Sequence, residues 1–143
     1  AWEKNQTLSI RRPHATRPWQ HVLEPLHGYL ILAQEMYQSK EYAQAYNFGP
    51  LEESTKSVKE VINLARDFFG GGEVNYQDST DGPHEADWLS LDISKSINDI
   101  GFRPRWNLPE TIEHTISWYK ALNSGQDALV LCNQQIDLYE NTK

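Results

Sequence analysis

The chain has 143 residues, 38% of them hydrophobic and 23% charged, and carries a net charge of −7 at pH 7. That length supports one domain with a substantial core, and the apolar content is too high for a disordered chain. The acidic balance argues against nucleic acid as a partner, the single Cys132 excludes an internal disulfide or a thiolate cage, and the longest apolar run, Tyr29 to Ala33, is far too short to cross a membrane.

Thr7-Leu8-Ser9-Ile10 alternates and predicts a short strand, ended by Arg11-Arg12-Pro13. Pro18 punctuates a second loop, and Trp19 to Val22 is expected to be briefly extended. From Leu23 the pattern is helical, with Pro25 in the first turn, where its missing N–H costs nothing. The stretch to Tyr37 is apolar nearly all round, which predicts a helix buried against a sheet, with Gly28 at a close helix–sheet contact. Ala45 to Phe48 reads as a strand closed by Gly49-Pro50.

Ser57-Val58-Lys59-Glu60 has the form of a capping box. Apolar residues then fall at Val58, Val61, Ile62, Ala65, Phe68 and Phe69, at helical spacing, until Gly70-Gly71-Gly72 stops the helix. Val74 and Tyr76 suggest another strand, and Asp78 to His84 a polar loop. Asp92 is placed to cap a short helix through Ile100, with Gly101 past its end. Asn107-Leu108-Pro109-Glu110 is a second capping box, opening a helix that ends near Ser124-Gly125. Beyond Gln126 no clear periodicity remains, and the segment reads as a tail packed on a partner surface. The result is an α/β chain with a few short strands and about four helices. The small sheet and the all-round apolar helix predict a piece of a larger fold.

Catalytic signatures are missing. His84-Glu85 lacks the second histidine of a zinc protease, and the five histidines are too dispersed for a metal site. Gly70-Gly71-Gly72 ends a helix where a phosphate loop would begin one. No GxxGxxG and no nucleophile elbow occurs, and no residue is assigned a catalytic, cofactor or metal role. A binding constellation remains. Arg17-Pro18-Trp19-Gln20-His21 sets a guanidinium, suited to phosphate oxygens, beside an indole, an amide and an imidazole. Glu85 stands in a loop, where a carboxylate accepts ribose hydroxyls. On pattern alone, Arg17 reads equally well as a surface charge or an internal ion pair, and Glu85 as a solvated loop acid.

The run from Thr16 to Leu30, including Arg-Pro-Trp-Gln-His-Val, closely resembles the C-terminal part of the CDP-glucose 4,6-dehydratases, a family of extended short-chain dehydrogenase/reductases. Tyr46 to Pro50, Pro83 to Ala86, Leu91 to Lys95 and Gly101 to Trp106 resemble it in the same order. The resemblance implies an absent N-terminal Rossmann domain carrying NAD and the catalytic residues, and a C-terminal part that holds CDP-glucose. It implies an NAD-dependent lyase of the bacterial cytoplasm that forms CDP-4-keto-6-deoxyglucose for dideoxy sugars of surface polysaccharide, with no activity in this chain alone. By the same resemblance Arg17 matches the arginine on the substrate diphosphate, with Trp19 and Gln20 beside it. Glu85 matches the ribose-binding acid, His84 a basic group near the diphosphate, and Arg11 the strand end near the base. Arg12 departs from the asparagine expected after that arginine. Alternatives kept open are a dTDP-, UDP- or GDP-sugar enzyme, and a non-catalytic carbohydrate or protein interaction module with an exposed Trp19, Trp88 or Trp106. Both a monomer and a homo-oligomer fit the sequence.

Overall fold

The computed structural model describes residues 1–77 and 86–142. Among them lie four three-residue strands, β1 (Leu8–Ile10), β2 (Thr16–Pro18), β3 (Thr55–Ser57) and β4 (Val74–Tyr76). Five α-helices accompany them: α1 (Leu23–Gln38), α2 (Val58–Phe69), α3 (Ser94–Ile100), α4 (Leu108–Asn123) and α5 (Ala128–Asn141). The strands form two separate ribbons. β1 and β4 pair in parallel, with Leu8 opposite Val74, and β2 and β3 pair antiparallel, with Arg17 opposite Lys56.

Local chemistry sets most of the boundaries. At α2 the Ser57 hydroxyl accepts the Glu60 N–H while the Glu60 carboxylate accepts the Ser57 N–H, and Asn107 with Glu110 repeats the arrangement at α4. Gly70 and Gly101 end α2 and α3 at φ of 95° and 69°, a region that a side chain enters at a cost. Asp92 accepts the Ser94 N–H at 2.8 Å and opens α3.

Four expectations need correction. The strand near Pro18 falls on Thr16–Pro18 rather than on residues 19–22. Ala45 to Phe48 runs without a ladder because side chains take its carbonyls. Ser96 Oγ donates to Asn47 O, Lys95 Nζ to Ala45 O at 3.1 Å, and Gln20 Nε2 to Phe48 O at 3.0 Å. The segment after Gln126 is α5, capped by Asp127, whose carboxylate accepts the Val130 N–H. Finally, α1 is not buried against a sheet. Val22 before it, then Leu26, Tyr29, Leu30 and Tyr37, form an exposed stripe, with Leu30 at 71% and Tyr37 at 94% exposure. Gly28 does make a close contact, but with a side chain: a Cβ there would lie 2.4 Å from the Phe48 ring. The expected loop from Asp78 to His84 lies outside the described residues.

Two apolar clusters hold these pieces. Phe48, Ile93, Ile100 and Phe102 pack with Ile31 and Leu32 of α1. Val61, Ala65, Leu108 and Ile112 join α2 to α4, with Trp19 against them. Phe102 is fully buried, a transfer from water worth about 1.5–3 kcal/mol.

Candidate nucleotide-sugar grip

The candidate site is built on β2. One edge pairs with β3. On the other, the Thr16 N–H donates to Asp87 O at 2.8 Å and the Leu89 N–H to Thr16 O at 3.1 Å, forming a parallel bridge between Thr16 and Trp88. β2 is thus a central strand despite its length, and Pro18, without an N–H, closes it.

Arg17 is half-buried, and its Nη1 donates to Thr16 O and to Ala86 O, each at 2.8 Å. Ala86 is the residue after Glu85. Arg11 is exposed one position beyond β1, where Ile10 O accepts the Gln77 N–H at 2.8 Å. The chain therefore enters the stretch 78–85 beside Arg11 and leaves it beside Arg17. His84 and Glu85 lie outside the described residues, while the backbone on both sides of that stretch is tied next to the two arginines. Arg17 also faces Lys56 across the ribbon.

Trp19 and Gln20 serve the loop differently. Trp19 Nε1 donates to Lys56 O at 2.8 Å, and its indole packs on the α2–α4 cluster. Gln20 Oε1 is buried without a hydrogen-bond partner, a state that costs about 1–3 kcal/mol when nothing fills it. With His21, Val22, Trp118 and Cys132, Gln20 lines a cavity of about 410 Å³ between the loop, α4 and α5. Trp106 is 5% exposed and Trp88 64%, so Trp88 is the indole that meets the demand of an interaction module.

Behind the loop stands a polar core. The His21 ring meets Trp106 edge-on at 4.8 Å, and its Nδ1 accepts the Leu23 N–H at 3.3 Å, which places the proton of the neutral ring on Nε2. Burial, helped by nearby His114, lowers the His21 pKa to about 4. Glu24 is fully buried; its Oε1 accepts the Arg105 and Trp106 N–H groups at 3.0 and 2.8 Å, and its Oε2 accepts the Tyr139 hydroxyl at 2.6 Å. Arg105 Nη1 donates to Tyr139 O at 2.8 Å. Sequence reasoning missed Glu24 and Ala86: an acid opening a helix carries no sign of burial, and a backbone carbonyl has no sequence signal.

Among the described residues, no three His, Cys, Asp or Glu side chains are grouped to hold a metal ion, and no helix is long and apolar enough to cross a membrane. The glycine run and three of the helix starts offer the pyrophosphate of NAD no cradle. Gly70, Gly71 and Gly72 follow α2 rather than precede a helix, and the side chains of Ser57, Asn107 and Asp127 already occupy N-terminal donors that a pyrophosphate needs.

No family model matches the chain. Its fold matches a variant of UDP-glucuronic acid 4-epimerase from Bacillus cereus, with a TM-score of 0.70 and 21% identity over 85% of this chain and 37% of that one. That protein was crystallised with NAD and UDP-4-deoxy-4-fluoro-glucuronic acid. The α/β architecture is thus that of part of this epimerase's fold. In sequence, the chain is 39% identical over 140 residues to CDP-glucose 4,6-dehydratase of Salmonella typhimurium (strain LT2), a match across 97% of this chain. The chain spans 39% of that relative's length. The resemblance read from the sequence is borne out: the chain is similar to CDP-glucose 4,6-dehydratase over nearly its whole length.

Proposed function

We propose that this chain supplies the substrate grip of a CDP-glucose 4,6-dehydratase, with Arg17 on the diphosphate of the nucleotide sugar. The Arg17–Ala86 hydrogen bond carries the reading, because it ties the guanidinium to the backbone next to Glu85. Arg11 stands where the same stretch begins, which supports a base-proximal role for it, with Glu85 toward the ribose and His84 toward the diphosphate. Trp19 and Gln20 stand beside Arg17, which supports a place for them in the same pocket. The whole enzyme would convert CDP-glucose to CDP-4-keto-6-deoxyglucose and water in the cytoplasm. The sequence has no GxxGxxG, and its one Tyr-x-x-x-Lys, Tyr139 to Lys143, has the tyrosine buried with its hydroxyl donating to Glu24; this supports redox chemistry in a separate Rossmann segment and no activity in the chain alone.

Calorimetric titration with CDP-glucose and with the UDP, dTDP and GDP analogues tests this. The expected dissociation constant is about millimolar, tightest for the cytidine ligands. Arg17→Ala weakens binding by roughly 1.5–3 kcal/mol, the loss of a charge-assisted contact. An absent response to every nucleotide, or an unchanged affinity in Arg17→Ala, refutes the reading. The exposed indole of Trp88 favours one other reading, a carbohydrate-binding module. That module predicts quenching of tryptophan fluorescence by free sugars and none by CDP.

A further inference from the structure

We infer that Tyr139 and Glu24 are positioning residues for the arginine-bearing loop, so that the end of α5 sets the geometry of β2 from about 120 residues away in sequence. The inference rests on the proposed nucleotide-sugar grip for its purpose, though not for its structural content. The loop from Arg17 to His21 has three anchors. Trp19 is held by Lys56 O and Gln20 by Phe48 O. His21 meets Trp106 edge-on, while its Nδ1 accepts the Leu23 N–H and its carbonyl the Glu24 N–H at the start of α1.

Trp106 is itself fixed from three directions. Its N–H donates to Glu24 Oε1 at 2.8 Å, its ring meets Tyr139 edge-on at 5.0 Å, and its Nε1 donates to Thr142 Oγ1 at 3.1 Å. Two of these contacts come from the last turn of α5 and its cap. The Tyr139 hydroxyl closes the circuit on Glu24 at 2.6 Å, and Arg105 Nη1 clamps the carbonyls of Tyr139 and Glu140 at 2.8 and 3.1 Å. Glu24 thus joins the start of α1, the turn before α4 and the end of α5 through one carboxylate. Among the exposed apolar residues of α5, Leu129, Val130, Ile136 and Leu138 take no part; Leu131 and Tyr139 are its buried anchors.

Amide hydrogen exchange on the full chain tests the inference with Tyr139→Phe, which keeps the ring and removes the hydroxyl. The Thr16 and Leu89 amides, which pair across β2, are expected to exchange at least tenfold faster. The Leu8 and Gln77 amides of the β1–β4 ribbon serve as the control and stay unchanged. Thr142→Val, a milder variant, should give the same pattern at smaller amplitude and replaces Tyr139→Phe if that chain fails to fold. Uniform acceleration of all amides, or none at β2, overturns the positioning role. If the unaltered chain binds CDP-glucose, a double-mutant cycle adds a second readout: Arg17→Ala should cost less than a third as much in fold-affinity within Tyr139→Phe as in the parent chain. Additive losses overturn the coupling. If the unaltered chain binds no nucleotide, the grip fails while the exchange experiment still decides this inference.

Discussion

Acidification should loosen this fold through one imidazole. His21 is 5% exposed, wedged against Trp106, and its pKa stands at about 4 instead of 6.5. In the unfolded chain the ring takes up a proton below about pH 6.5; in the folded chain it stays neutral until about pH 4. Between those values the unfolded state binds more protons, so stability is full above pH 6.5 and is lost as pH falls toward 4. The 2.5-unit gap corresponds to about 3 kcal/mol in full, of which roughly 2.5 kcal/mol is lost between pH 7 and pH 4.5. Urea unfolding followed by tryptophan fluorescence at both pH values measures it, with His21→Phe as the comparison. The variant forfeits the Leu23 N–H acceptor at every pH, so the quantity to read is the difference between the two pH values. That difference should shrink by roughly 2.5 kcal/mol in His21→Phe. An identical pH difference in both proteins would show that His21 is not the group that titrates.

Glu24→Leu leaves the Arg105 and Trp106 N–H groups and the Tyr139 hydroxyl without their acceptor, and should cost roughly 3–5 kcal/mol in urea unfolding; a loss under about 1 kcal/mol contradicts the network. Gly28→Ala should destabilise by about 1–3 kcal/mol despite the better helix propensity of alanine, because the new methyl meets the Phe48 ring, itself packed edge-on to Tyr29 and Phe102. Combining it with Phe48→Leu should recover part of that loss in thermal unfolding, and a stabilised single variant would disprove the close approach.

What could be seen in the sequence is what local chemistry controls. Ser57 with Glu60, and Asn107 with Glu110, announce two helix starts because each box is complete within four residues. Gly70 and Gly101 announce two ends for the same reason. Ala45 to Phe48 misled because a short apolar run says nothing about where its carbonyls go, and here Gln20, Lys95 and Ser96 take them from far along the chain. α5 was hidden by its own exposed leucines: only Leu131 and Tyr139 face inward, and two residues do not make a visible stripe. The Arg-Pro-Trp-Gln-His run stood out by resemblance. The hydrogen bond from Arg17 to Ala86, 69 positions away, is a product of the fold. The buried role of Glu24 is equally remote, since its partners lie 81, 82 and 115 positions on.

The seat of Tyr139 makes the last turn of α5 a poor place to cut. Final residues of a domain usually tolerate trimming, tags and nibbling by proteases because little depends on them. Here loss of Tyr139 would strip a buried carboxylate of its hydroxyl donor and Trp106 of its outer wall, and loss of Thr142 alone would take the hydrogen bond from the Trp106 indole. Proteolytic cleavage within the last turn of α5 should therefore proceed together with unfolding rather than ahead of it.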